Sequence, residues 1–229
     1  MKSILIMGNG QSIEPVTKRL HDIKIDTFGM NTAYKYYKKQ DWYPTYWACF
    51  DRAVTNSHSA NLQLFVLESC DRVKRYFSSV QFMDHPQLTV PEMIQPHGAQ
   101  WDYAYQRKPY HDVGNTGGNC CQQAIDMDYK KLILIGVDCD YKEVVDGAQD
   151  QNGKLVMAET PESNPNYGWE DYQEKGDVYN YPRPEIFHRP SWAALARFAK
   201  ANGIEVVNCS PISTLDMFDK STLEEEGVY

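Results

Sequence analysis

The chain has no apolar run long enough to cross a bilayer, no Cys-x-x-Cys pair and no stripe of Lys and Arg that could follow a phosphate backbone. A membrane-spanning helix needs about 20 apolar residues, whereas the opening run stops at Gly8, too soon even for a signal-peptide core. A cytoplasmic protein with no integral membrane segment is therefore expected. The six cysteines are scattered, and the adjacent Cys120 and Cys121 are poorly placed to bond each other or to share a metal. Reduced, mostly buried thiols are the expectation. With 23 basic against 31 acidic residues, the formal charge is −8, which argues against nucleic acid as a partner. No His-x-x-x-His spacing or carboxylate–histidine cluster occurs, so no metal site is expected, and the absence of Gly-Lys-Ser/Thr excludes a P-loop.

At 229 residues and 42% hydrophobic content the chain suits one domain over 1–229 with one sizeable core. Short apolar runs at 3–7, 25–30, 46–50, 131–135 and 204–208 read as strands, with another near 73–77. Helical periods are predicted over 13–20, within 61–90, over 116–127 and over 192–201, the last with Ser191 as its N-cap and Asn202-Gly203 as its stop. The alternation predicts an α/β fold: a Rossmann-like domain with a mostly parallel sheet flanked by helices. Residues 141–187 lack any apolar period and are too long for an ordinary connection, so they are expected to form a mobile, lid-like insertion. The aromatic stretch 95–115 is predicted to be a long loop over the site or an interface segment. Its 101–110 portion is a candidate contact in a homo-oligomer, and the acidic tail 223–229 is predicted to fray.

Four of the predicted strands end in polar or glycine residues: Gly8-Asn9-Gly10, Asn31, Asp51 and Gly136-Val137-Asp138. In open parallel sheets the strands' carboxyl ends face the binding crevice, where helix N-termini bring free N–H groups to anions. Each residue also has a plain structural reading. Gly8, Gly10 and Ser12 are either a phosphate-approaching turn or a simple strand-to-helix turn, and Asn31 is either a donor contact or a turn residue. Asp51 reads as a helix N-cap ahead of Arg52, Thr116-Gly117 as another cap, and Asp138 as a sugar grip or the partner of a loop amide. Among six histidines, His188 stands just before the last helix; a neutral imidazole there could take a proton at physiological pH.

Taken in order, Ile-Met-Gly-Asn-Gly-Gln-Ser, Phe-Gly-Met-Asn, Asn-Thr-Gly-Gly, Tyr-Lys-Lys-Leu-Ile-Leu-Ile-Gly-Val-Asp and Phe-His-Arg-Pro-Ser resemble the bacterial lipooligosaccharide sialyltransferase family, which uses CMP-sialic acid. The likeness is best at 3–31 and 115–138 and is again recognisable over 186–215. Flagellin-modifying nonulosonate transferases and the MptE-like hydroxymethylpterin diphosphokinases share the Gly-Asn-Gly and Gly-Val-Asp signatures. The resemblance implies a metal-independent inverting transferase with a nucleotide-sugar donor, a glycan acceptor and no cofactor. It implies Asn9 and Ser12 on the nucleotide phosphate or ribose, Asn31 and Asp51 at the donor, Thr116 and Gly117 against the sugar, and Asp138 at the cytidine ribose. His188 would be the general base. A tyrosine, Tyr141 with Tyr167 and Tyr172 as alternatives, would assist the leaving phosphate.

Two other readings stay open. One is an MptE-like diphosphokinase that uses ATP and Mg²⁺ with acidic ligands such as Asp51 and Asp138. The other is a non-catalytic nucleotide-binding protein on the same fold.

Overall fold

The computed structural model describes residues 1–94, 105, 110–141, 144–169 and 171–229. The first half holds β1 (Ser3–Met7), α1 (Glu14–Thr17), β2 (Asp26–Met30), α2 (Tyr34–Lys39), β3 (Tyr46–Cys49), α3 (Arg52–Ser57), α4 (Ser59–Ser69), β4 (Arg75–Ser78) and β5 (Leu88–Thr89). After them come β6 (Met93–Ile94), β7 (Tyr110–His111), α5 (Thr116–Asp126) and β8 (Lys131–Ile135). The last part holds β9 (Ala148–Gln151), β10 (Lys154–Met157), β11 (Val178–Tyr179), α6 (Arg189–Ala201), β12 (Glu205–Asn208) and β13 (Asp219–Lys220).

Eight strands form one sheet in the order β13-β12-β8-β1-β2-β3-β4-β5, and every neighbouring pair is parallel. The chain winds outward from β1 to β5 and then returns to β8 on the other flank of β1. The boundary between β1 and β8 is thus the topological switch point, where such sheets open a crevice. Ser3 pairs with Lys131 and Met7 with Ile135, so the two strands end level and set Gly8 beside Gly136. Ile4, Leu5, Ile6 and Met7 are all fully buried, as expected for a central parallel strand covered on both faces. Alternate side chains serve opposite layers. Ile4 and Ile6 join the core under α5 and α6, while Leu5 and Met7 join the core that holds Tyr34, Tyr37 and Phe65 from α2 and α4.

The apolar runs correspond to β1, β2, β3, β4, β8 and β12 within two residues at each end. Several expectations change. The period over 13–20 breaks into a 3-10 turn (Gln11–Ile13), the four-residue α1 and a second 3-10 turn (Leu20–Asp22). Pro15 has no N–H to extend the ladder, and the Asp138 carboxylate holds the Ser12 N–H at 2.9 Å. Helix α6 starts at Arg189 and continues from a π-helical turn (Pro184–His188), so Ser191 lies inside it rather than capping it. The fully buried Ser191 hydroxyl instead meets the Tyr105 hydroxyl at 2.9 Å and Asn115 Nδ2 at 3.1 Å. The tail does not fray. Val228 is fully buried, its carbonyl accepts from Lys24 N at 2.8 Å, and Arg19 stacks 3.5 Å over the Tyr229 ring.

Residues 144–187 carry the antiparallel sheet β11-β10-β9, turned at Asn152-Gly153 with φ of +55° and +77°, as a two-residue type I′ turn requires. For the aromatic stretch, residues 95–104 and 106–109 lie outside the described residues, as does most of the 101–110 segment. Its end does not: β7 pairs with β6, and Asp112, Gly114 and Asn115 reach the switch-point cavity. All six cysteines are free thiols, five of them buried. Among the described residues no helix is long and apolar enough to cross a membrane.

Candidate functional site

A cavity of about 610 Å³ opens at the carboxyl ends of β1, β2, β3 and β8. Gly8, Asn9 and Gly10 after β1, Asn31 after β2, Asp51 after β3 and Gly136 after β8 line one side. Thr116 and Gly117 of α5, with Tyr141 and His188, line the cavity too. Nine of the eleven residues singled out in the sequence therefore share this cavity; Ser12 and Asp138 do not line it.

Ser12 and Asp138 lie behind the wall, 3% and 6% exposed, and serve each other: one Asp138 oxygen accepts from Ser12 N while the other is buried without a partner. The glycines of the first turn answer to packing. A β-carbon on Gly8 would sit 2.3 Å from the Gly136 carbonyl oxygen, and one on Gly10 would sit 2.4 Å from Asp138 Oδ2. Only glycine lets the β1 and β8 turns lie this close, joined by Gly8 N to Ile135 O at 2.7 Å and Gly10 N to Gly136 O at 2.8 Å. The turn's asparagine is committed as well: Asn9 Nδ2 donates to the Tyr172 hydroxyl at 2.8 Å, and Trp169 Nε1 donates to Asn9 Oδ1 at 2.9 Å.

Asn31 adopts φ of +53°, and its buried Oδ1 has no partner, which leaves an acceptor for a ligand. Asp51 is the N-cap of α3: its Oδ1 accepts from Ala53 N at 2.8 Å, Val54 N at 3.4 Å and Asn180 Nδ2 at 2.9 Å. The cap of α5 is Asn115, not Thr116, with Oδ1 accepting from Gly118 N at 2.6 Å. Thr116 and Gly117 thus bring the first turn of an eleven-residue helix to the cavity wall, where backbone N–H groups favour an anion.

His188 ends the π-helical turn, half-buried, with its ring edge-on to Tyr141 at 5.3 Å between centroids. Burial alone pushes its pKa down to about 4, so the imidazole is neutral at pH 7. Among the described residues five phenols line the cavity, and burial drives the pKa of three of them, Tyr141, Tyr167 and Tyr172, well above the ordinary value. They remain hydrogen-bond donors at any working pH. The Tyr167 and Tyr172 rings lie 4.1 Å apart between centroids.

The sequence reading missed the far end of the cavity. His58, 4% exposed, meets the Tyr34 hydroxyl at Nδ1 (3.2 Å) and Asp177 Oδ1 at Nε2 (3.1 Å), and Lys35 lies 3.4 Å from Asp177 Oδ2. Burial alone would raise the Asp177 pKa, but the His58 contact, the Glu174 backbone N–H and the Lys35 charge outweigh it and the net shift is downward. This group ties α2 and the α3–α4 junction to β11, and no local sequence motif announces it. The β9–β10 hairpin, which adds Gly153 and Lys154 to the wall, did carry a signal: Asn-Gly between two short strands. Among the described residues no group of three or more His, Cys, Asp or Glu is placed to hold a metal ion.

No protein-family model and no curated protein matches the sequence. Solved structures do match. The sialyltransferase CstII from Campylobacter jejuni, in complex with CMP-3FNeuAc, is 16% identical with a TM-score of 0.54, over 96% of this chain and 86% of that one. The alpha-2,3-sialyltransferase Cst-I from the same organism is 18% identical with a TM-score of 0.53, over 96% and 80%. The MAf glycosyltransferase from Magnetospirillum magneticum AMB-1 is 13% identical with a TM-score of 0.56, over 97% of this chain but only 34% of that one. With its parallel eight-stranded sheet and its cavity at the β1/β8 switch point, the chain has the Rossmann-like α/β fold of these glycosyltransferases.

Proposed function

We propose that the protein is an inverting glycosyltransferase of the sialyltransferase type, moving a sialic acid or related nonulosonate from a CMP-activated donor to a glycan hydroxyl. One observation carries the reading: the His188 imidazole and the Gly8-Asn9-Gly10 turn line the same switch-point cavity. Neutral at pH 7, His188 takes the proton from the acceptor hydroxyl as its oxygen bonds to the donor's anomeric carbon. The bond from that carbon to the phosphate oxygen breaks with its electron pair, and CMP leaves from the opposite face. The developing phosphate charge needs hydrogen-bond donors, which the first turn of α5 at Thr116 and Gly117 and the un-ionised Tyr141 supply. Asn31 Oδ1 is the acceptor left for a donor-sugar hydroxyl or amide. Asp138 and Ser12 act at one remove, by fixing the glycine turn. Residues 141–187 are the lid within a single domain over 1–229, and they exclude water from the activated donor.

A diphosphokinase with ATP and Mg²⁺ would call on carboxylates facing the phosphates. Asp138 lies off the cavity and Asp51 Oδ1 is engaged three times, which favours the sugar-transfer reading. The test is CMP release from CMP-sialic acid and related CMP-nonulosonates with EDTA present, beside ATP with a pterin alcohol and Mg²⁺. The expected result is EDTA-insensitive CMP release that His188→Ala lowers about 10²- to 10⁴-fold. Turnover unchanged in H188A would overturn the assigned base, and nucleotide binding without turnover of any donor would leave a binding protein.

A further inference from the structure

The charged groups that line the cavity are unequally partnered. Each of its carboxylates is engaged: Asp51 Oδ1 accepts from Ala53 N, Val54 N and Asn180 Nδ2, Asp112 Oδ1 accepts from Gly114 N at 3.0 Å and Asn119 Nδ2 at 3.1 Å, and Asp177 meets His58 and Lys35. Lys154 donates to the Asn180 side-chain oxygen. Two guanidiniums on the same lining, Arg52 and Arg183, differ. Both are exposed, and among the described residues neither has a hydrogen bond, an ion pair or a ring contact. Acids near them in the chain have other partners: Glu185 holds Arg189 at 2.8 Å, and Asp150 accepts from the Tyr181 hydroxyl at 2.6 Å. A chain of formal charge −8 thus keeps two uncommitted cations at one opening.

Their place in the fold says which substrate they meet. The bond from Asn180 Nδ2 to Asp51 Oδ1, 2.9 Å long, joins the start of α3 to the chain after β11, and Arg52 and Arg183 lie one and three residues beyond its two ends. Arg183 also opens the turn that carries the candidate base. Its carbonyl accepts from Ile186 N at 3.3 Å and Phe187 N at 3.0 Å, and the π-helical turn runs on to His188. Phe187, the residue before His188, is 38% exposed and lines the cavity, an open aromatic face on which a sugar ring can lie. An anion gripped by Arg183 therefore belongs to the molecule whose hydroxyl faces His188. A guanidinium fork matches a carboxylate or a phosphate with two parallel hydrogen bonds, a geometry that a neutral sugar does not use.

We propose that Arg52 and Arg183 form an anion-binding subsite at the acceptor end of the cavity, and that the acceptor is an acidic sugar, one that already carries a carboxylate or a phosphate. This rests on the CMP-donor reading and names the acceptor class that the reading leaves open.

The test measures transfer from CMP-sialic acid to matched sugars: galactose and glucose, their uronic acids and their 6-phosphates. At low ionic strength the acidic forms are expected to exceed the neutral ones in kcat/KM by about tenfold, a preference that shrinks as added salt screens an exposed site. The larger preference, for uronic acid or for phosphate, identifies the anion. Arg52→Gln and Arg183→Gln, both at exposed positions, are each expected to lower the acid-to-neutral ratio about threefold, and the double variant to bring it to about one. Arg183→Lys keeps the charge without the fork, so its ratio should fall between those of wild type and R183Q. A ratio that the glutamine variants do not move, a preference for the neutral forms, or donor hydrolysis without use of any acidic sugar would overturn the proposal. So would weaker binding of CMP-sialic acid to R52Q and R183Q in the absence of acceptor, with CMP itself bound as in wild type, because the arginines would then hold the donor's own carboxylate. If wild-type protein binds neither CMP nor CMP-sialic acid, the donor reading itself fails and the subsite with it.

Discussion

At the scale of single residues the proposed chemistry turns on His188. Its ring sits half-buried at the cavity wall beside Tyr141, and among the described residues none hydrogen-bonds it. With desolvation as the sole cause, its pKa falls from 6.5 to about 4. Between those values the folded protein binds fewer protons than the unfolded chain, so stability from this group is complete above pH 6.5 and is lost as pH falls through about 4. The same ionisation limits the base. We expect kcat/KM, which reports the free enzyme, to stay level from pH 8 to 5 and to fall with a midpoint near 4. His188→Asn should flatten the acid side of the melting-temperature profile. An acid limb centred near 6.5 would mean that the ring is solvated in the working enzyme. That this histidine is a candidate base was legible from its place before a helix and from the resemblance. Its depressed pKa was not, because burial is set by Tyr141 and by chain far away in sequence.

At the scale of elements, strand ends and helix starts carry the site, and the two were unequally legible. The apolar runs placed the strands and the polar residues that end them, because a buried parallel strand must be apolar throughout and must stop where solvent begins. Helix caps were harder to read, since Asn115 outcompetes Thr116 only through the geometry of its own turn. Asp51 is an N-cap as its neighbours in sequence suggested, with Asn180, just after β11, as an added partner. Asparagine caps a helix as well as aspartate, so Asp51→Asn should change stability by less than about 0.5 kcal/mol. It also removes a negative charge from the wall of a cavity that would receive an anion. Removing a like charge there is worth on the order of 1 kcal/mol, so D51N is expected to bind CMP about fivefold more tightly in a calorimetric titration. Weaker binding would instead give the Asp51 carboxylate a direct part in holding the nucleotide.

At the scale of the whole molecule the site is assembled by pairs far apart in sequence, which local patterns do not reveal. Asn9 and Trp169 are 160 residues apart, and Thr32 and Tyr172 are 140 apart. Composition alone made 141–187 look like one loose flap, yet its middle is bolted to the sheet: Gln11 Nε2 donates to the carbonyls of Asn164 (2.7 Å) and Tyr167 (2.8 Å), and Trp169 is buried in the core. The exposed part is the β9–β10 hairpin, with Asn152 and Gly153 at its tip and Lys154 at the cavity. Local opening follows the number of buried contacts, so the two parts should differ in hydrogen exchange. Peptides covering 164–169, which include the Gly168 amide bonded to Asn9, are expected to exchange as slowly as β1 in the free protein and to be indifferent to CMP. Peptides covering 148–157 are expected to exchange quickly when free and to slow on CMP addition, as the proposed lid role of the hairpin requires. Fast exchange over 164–169 that CMP suppresses would make the whole segment a flap, and the Trp169–Asn9 contact would then form only after the nucleotide had bound.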